Sequence, residues 1–270
     1  MKDVKKAERG KAGRVTFSRV IPYKDENPTE LTPILTVGII ALNVLVWLFV
    51  QGAGAPDVLA RSVCQLGLIP AEVLRTAPPG TVVPLGDHLQ CVLTDAPSWR
   101  TLVTSMFLHG GWLHLIGNMW FLWVFGNNIE DSMGHTRFIL FYLLCGVAAA
   151  ATQMFVDPRS AVPMIGASGA ISGVMGAYVL LYPRVRVHTF VTLGFFLTTV
   201  TLPAYVMLGY WFVLQLVLGA IGAAAGMQGG TAFWAHVGGF VAGLVLIKLF
   251  ANREYLERRR AGVVILPRDV

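Results

Sequence analysis

Charge is the first thing this chain lacks. Of its 270 residues only 13% are Asp, Glu, Lys or Arg, while 55% are hydrophobic and the mean hydropathy is +0.63. A soluble domain carries about 25% charged residues, so this composition argues for an integral membrane protein rather than a large water-exposed fold. Cysteine is also scarce. Three residues cannot build a disulfide framework. Cys64 and Cys91 share one polar connection and either pair, if that connection faces an oxidising compartment, or stay free; Cys145 lies in an apolar run. The sequence has no H-E-x-x-H, and His109 and His114 are five apart, off the i, i+4 face a helical zinc pair needs. No metal and no cofactor is expected. The net charge of +6 sits in tails and connections rather than in a basic patch interleaved with aromatics, which argues against nucleic acid as a partner and for the lipid bilayer.

Long apolar runs are what the chain has. They cover 33–50, 111–126 (entered from about Leu102), 137–156, 168–182, about 203–221 and 233–250, and a span of about 20 apolar residues crosses a bilayer. The expected fold is therefore an all-α membrane protein with six transmembrane helices. It divides into an N-terminal tail, 1–32, a membrane domain, 33–250, and a C-terminal tail, 251–270. The β-branched stretch "VHTFVTLGFFLTTVT", 187–201, fits none of these and either lies in the interface or extends the fifth span. With Lys248 counted in the C-terminal tail, one side of the membrane holds 17 Lys and Arg and the other 4. The basic side is cytoplasmic, which places both termini there. The polar leader reads as that of an uncleaved signal anchor. The cluster "ERRR", 257–260, supplies anchoring charge or, alternatively, an anionic-lipid or partner site. The outward connection 51–100 is long enough to be functional, and its Pro and Gly argue against a separately packed domain.

Hydrogen-bonding and ionisable groups inside spans are costly and usually have a task. Four stand out: His114, Asn118, Ser168 and His236. Ser168 sits beside a stripe of Gly169, Gly173 and Gly176, and His236 beside Gly239 and Gly243. Such stripes let helix backbones approach closely, and the two polar residues fall at matching depths near the outward ends of their helices. The serine and histidine either strengthen helix packing or form an activated nucleophile with its base. His114 and Asn118, at i and i+4, share a face. They either hold the bundle together or donate to a developing oxyanion. No carboxylate is placed near His236, so the simplest catalytic set is a Ser–His dyad.

These residues resemble the rhomboid intramembrane serine proteases over about residues 33–250. The resemblance rests on "SWR" (98–100), "HGGWLHLIGNMWFLWVFGNNIED" (109–131), "GASGAISGVMGAY" (166–178) and "AHVGGFVAG" (235–243), in that order. It implies a six-helix bundle, Ser168 as nucleophile, His236 as general base, and an oxyanion hole of His114, Asn118 and the Ser168 backbone N–H. Gly166 belongs to the same helix-packing set. Loop 51–100 resembles the family's interfacial loop, with Trp99 and Arg100 at its end, and 222–232 resembles its mobile cap. The implied substrates are transmembrane proteins with helix-weakening residues near the cut, and the implied place is the cell (inner) membrane. One departure is visible: Ser172 stands where family members often carry an aromatic ring against the histidine, so something else must orient His236. A proteolytically inactive relative that binds helical clients as a chaperone or adaptor is the alternative. A transporter is a poor fit, because 33–156 and 168–250 show no repeat.

Overall fold

The computed structural model describes residues 20–84, 90–95, 98–193, 196–225 and 231–260. Most of them are helical, as the long apolar runs dictate. The main helices are α1 (Ile34–Leu45), α5 (Trp112–Met133), α6 (His135–Val156), α7 (Ser168–Leu181), α8 (Ala204–Ala224) and α9 (Phe233–Phe250). Between α1 and α5 come the shorter α2 (Pro56–Leu66), α3 (Pro70–Val73) and α4 (Thr101–Thr104), and α10 (Arg253–Arg260) follows α9. Among the described residues α6, α8 and α9 are long and apolar enough to cross a membrane. The apolar stretches Ile34–Val50, where α1 runs on into a π-helical turn, and Ser168–Leu181 are shorter. Helix α5 has the length but carries Asn127, Asn128, Glu130 and Asp131 in its last turns.

The all-α expectation needs correction, because strands are present. The stretch that fitted no span forms β4 (Arg186–Leu193) and β5 (Phe196–Pro203), paired antiparallel from Arg186 with Pro203 to Leu193 with Phe196. Val187, Thr189, Val191, Thr198 and Val200 suit a pleated strand better than a helix, because their branched Cβ restricts χ1. Residues from the supposed tail complete the sheet: β1 (Val20–Asp25) pairs with β4, giving the order β1-β4-β5. The leader is thus partly built into the fold. Asp25 accepts from the Tyr178 hydroxyl at 2.5 Å and from Asn128 Nδ2 at 2.8 Å.

A buried carboxylate ties the same end together. Helix α1 has no capping side chain of its own. Instead Glu130, fully buried on α5, accepts from the Leu35 N–H at 2.9 Å, the Thr36 N–H at 2.8 Å and the Thr36 hydroxyl at 2.7 Å. A negative charge there answers both the orphan donors and the positive end of the α1 dipole. Asp131 takes the Leu31 N–H at 2.8 Å.

The connection 51–100 also differs from expectation. It packs a small core of Ile69, Ala71, Val83, Cys91 and Leu93, around α2, α3 and a hairpin of β2 (Val82–Pro84) with β3 (Gln90–Val92). Cys64 and Cys91 form a disulfide. The cross-link supplies what so few apolar side chains cannot. Leu68 and Met164 exchange backbone hydrogen bonds of 3.0 and 2.7 Å, and the Ala71 N–H donates to Ser160 O at 2.9 Å. The lobe therefore braces the segment that leads into Ser168.

Candidate active site

The close approach of α7 to α9 is what brings the candidate residues together. A Cβ on Gly239 would overlap the carbonyl oxygen of Gly169, one on Gly243 that of Gly173, and one on Gly176 that of Phe240. Only glycine permits such backbone contact, the small-residue packing of membrane helices. Ser168 is the first residue of α7 and His236 lies in the first turn of α9. At this helix separation the His236 Nε2 and the Ser168 Oγ are 2.8 Å apart.

The other imidazole nitrogen identifies the tautomer. His236 Nδ1 lies 2.8 Å from Oε1 of Gln215, at the middle of α8. An amide oxygen only accepts, so Nδ1 carries the proton and Nε2 presents its lone pair to the serine hydroxyl. One turn earlier on α8, Trp211 sets its ring 5.7 Å from the imidazole, tilted by 37°. Trp211 and Gln215 thus contact the imidazole, and Ser172 does not. The Ser172 hydroxyl donates back to Ser168 O at 2.6 Å instead, inside its own helix.

A cavity of about 450 Å³ opens over this pair and is lined by Ser168, His236, His114, Asn118, Gly166 and Thr231 among others. His114 and Asn118 project from the first two turns of α5. The Gly110 N–H donates to His114 Nδ1 at 3.3 Å, which leaves Nε2 as the proton-bearing nitrogen. Asn118 Nδ2 is buried with no hydrogen-bond partner among the described residues. Gly166 adopts φ +127°, outside the range of L side chains, and a Cβ there would lie 2.9 Å from His114 Nε2 and 3.5 Å from Ser168 Oγ. Its N–H is held by Ser105 O at 2.9 Å. First-turn residues of α5, α7 and α9 all line the cavity, so three positive helix ends face whatever negative charge develops there.

The other expected residues fall around this centre. His109 is buried, edge-on to His114 at 5.0 Å between ring centres. Its backbone is clamped by the buried Gln51 amide, through an N–H to Oε1 and an Nε2 to carbonyl bond of 2.8 Å each. Trp99 and Arg100 stand just ahead of α4, outside the cavity lining. Of the expected cap, 222–232, residues 226–230 lie outside the described residues, and Thr231 and Ala232 line the cavity. Sequence reasoning missed Gln215 and Trp211. The rule that picked out His114 and Asn118, a polar side chain in an apolar run, applies equally to the amide in "WFVLQLVLG".

The chain is similar to several known proteins. A family model described as "Rhomboid domain" matches residues 96–253. The chain is 32% identical over 169 residues to Rhomboid-like protein 11, chloroplastic, of Arabidopsis thaliana, covering 58% of this chain and 54% of that one. It is 31% identical over 135 residues to Rhomboid protease GluP of Bacillus subtilis, covering 50% of this chain and 25% of GluP. To the Putative rhomboid protease YdcA of the same organism it is 34% identical over 83 residues, 31% of this chain and 41% of YdcA. The chain thus spans about half or less of the length of these relatives.

Proposed function

The chain belongs to the rhomboid family of membrane proteins, and from that premise we propose that it is an intramembrane serine endopeptidase with Ser168 as nucleophile and His236 as general base. The observation that carries this reading is the 2.8 Å approach of His236 Nε2 to Ser168 Oγ at the floor of a cavity. That distance is within reach for proton transfer. As Ser168 Oγ attacks a peptide carbonyl, its proton passes to His236 Nε2. The tetrahedral oxyanion is met by the Ser168 backbone N–H, His114 Nε2–H and the Asn118 amide, whose Nδ2 lacks a partner. His236 then protonates the leaving amine, and water hydrolyses the acyl-enzyme by the same relay in reverse.

The substrates in this reading are transmembrane segments of membrane proteins. An intact helix hides its carbonyls in its own hydrogen bonds, so cleavage favours sites weakened by Gly, Pro or polar residues. In this reading α1 and α5 to α9 are the six spans, the cavity opens toward the outer face, both termini are cytoplasmic and the cell membrane is the site of action; the excess of Lys and Arg on the side of the termini supports it. The disulfide in the 51–100 lobe, which braces the cavity side, supports an oxidising compartment there.

Purified protein incubated with a model single-span substrate tests the proposal. Ser168→Ala and His236→Ala should each abolish cleavage while the unfolding temperature in detergent is kept, and a fluorophosphonate should label the wild type but not Ser168→Ala. Continued cleavage by folded Ser168→Ala protein rejects it.

A further inference from the structure

We infer that Gln215 is a positioning residue for the proposed reaction, holding His236 in the tautomer that can act as a base; this rests on the Ser168–His236 reading above. A neutral imidazole has two tautomers, and only the one protonated at Nδ1 has a free Nε2 lone pair for the serine proton. In triad enzymes a carboxylate makes that choice, and losing its acceptor character traps the wrong tautomer. Among the described residues, the acceptor within hydrogen-bond distance of His236 Nδ1 is the amide oxygen of Gln215, at 2.8 Å. Gln215 is 8% exposed, and a buried amide in an apolar helix is a cost the fold bears for some return. Its distance to the imidazole matches that from the imidazole to the serine, so Gln215, His236 and Ser168 form one continuous line of hydrogen bonds.

The choice of an amide over a carboxylate has chemical meaning. A glutamate here would put a charge in the middle of an apolar helix. Glutamine fixes the ring without that charge, and Trp211, four residues earlier on the same helix, packs against the ring. The other titratable group lining the cavity with His236 is His114, across from it on α5.

Three proteins decide the matter: wild type, Gln215→Met, which keeps the volume and removes the acceptor, and Gln215→Glu, which keeps an acceptor that cannot flip. Cleavage of a single-span substrate is followed from about pH 5 to 9, with fluorophosphonate labelling and detergent unfolding temperatures alongside. Gln215→Met should lose about 10- to 100-fold in kcat, the range for one buried hydrogen bond left unmade, at unchanged KM. Gln215→Glu should recover much of that loss and move the acid limb of its pH profile upward by about one unit, because a carboxylate stabilises the imidazolium. Wild-type kcat in Gln215→Met overturns the inference. So does a loss that Gln215→Glu neither recovers nor accompanies with a shifted limb, since mere packing would behave that way. If Ser168→Ala and His236→Ala still cleave, the failure lies with the proposed base and nucleophile instead.

Discussion

Gly243 and Gly173 meet backbone to backbone: a Cβ on Gly243 would overlap the Gly173 carbonyl oxygen. Nothing flexible lies between them, so a methyl group there must push α9 away from α7. Gly243→Ala should lower stability by about 1–3 kcal/mol, the cost of overpacking. Cleavage should fall about 100-fold or more, because misplacement by about 1 Å costs that much in a proton relay. Gly38→Ala is the control: its Cβ meets nothing within 4 Å, and alanine is the better helix former. Thermal unfolding in detergent and cleavage assays should separate the two.

Removing a donor from the cavity wall should affect the chemical step alone. Asn118→Ala and His114→Ala are each expected to reduce kcat by about 10²- to 10³-fold, as loss of one oxyanion donor does elsewhere. KM should stay within a few-fold. A rise in KM with kcat intact would show these side chains binding ground-state substrate instead.

Gly166→Ala carries two penalties in one methyl group: a φ of +127° that alanine resists, and a Cβ 2.9 Å from the His114 ring. About 1–3 kcal/mol of strain follows from the backbone alone. Cleavage should drop further than the stability loss explains, because the ring it displaces is one of the proposed donors. Comparing unfolding temperature with kcat for this variant checks that.

Glu130→Ala should destabilise by about 2–4 kcal/mol, since it orphans the Leu35 and Thr36 N–H groups at the head of α1. Hydrogen exchange should show the first turn of α1 opening well before the rest of the bundle.

Reduction of Cys64–Cys91 should loosen the 51–100 lobe. The bond closes a loop with a sequence separation of 27, for which chain entropy gives about 3–4 kcal/mol. Limited proteolysis with and without reductant should show cuts appearing within 51–100 while α6 and α9 stay protected.

Much of this molecule could be read from residue types alone, where one strong term dominates. Apolar runs long enough to span a bilayer favour helices, so α9 was legible to the residue and α6 and α8 to within about three residues. Gly169, Gly173, Gly239 and Gly243 announced a close crossing because little else explains glycine at that spacing. The sheet was not legible: β4 and β5 satisfy each other and β1 through partners as distant as Val20 and Val191, and no local pattern specifies such pairing. The lobe was misread because its stability comes from a cross-link and from bonds to Met164 and Ser160 rather than from its own composition. Gln215 went unread for a different reason. Its apolar neighbours mark it as unusual, but its partner His236 sits on α9, and no local pattern tells which faces of α8 and α9 meet.

Asn118 and Glu130 ride on one rigid rod, twelve residues or about 18 Å apart. Glu130 is held by three hydrogen bonds from the head of α1, so Asn118 inherits its aim from a fastening it never touches. A tent pole keeps its tip still because its foot is pegged. By the same logic, an acidic side chain far from the cavity helps to fix the direction of an amide that lines it.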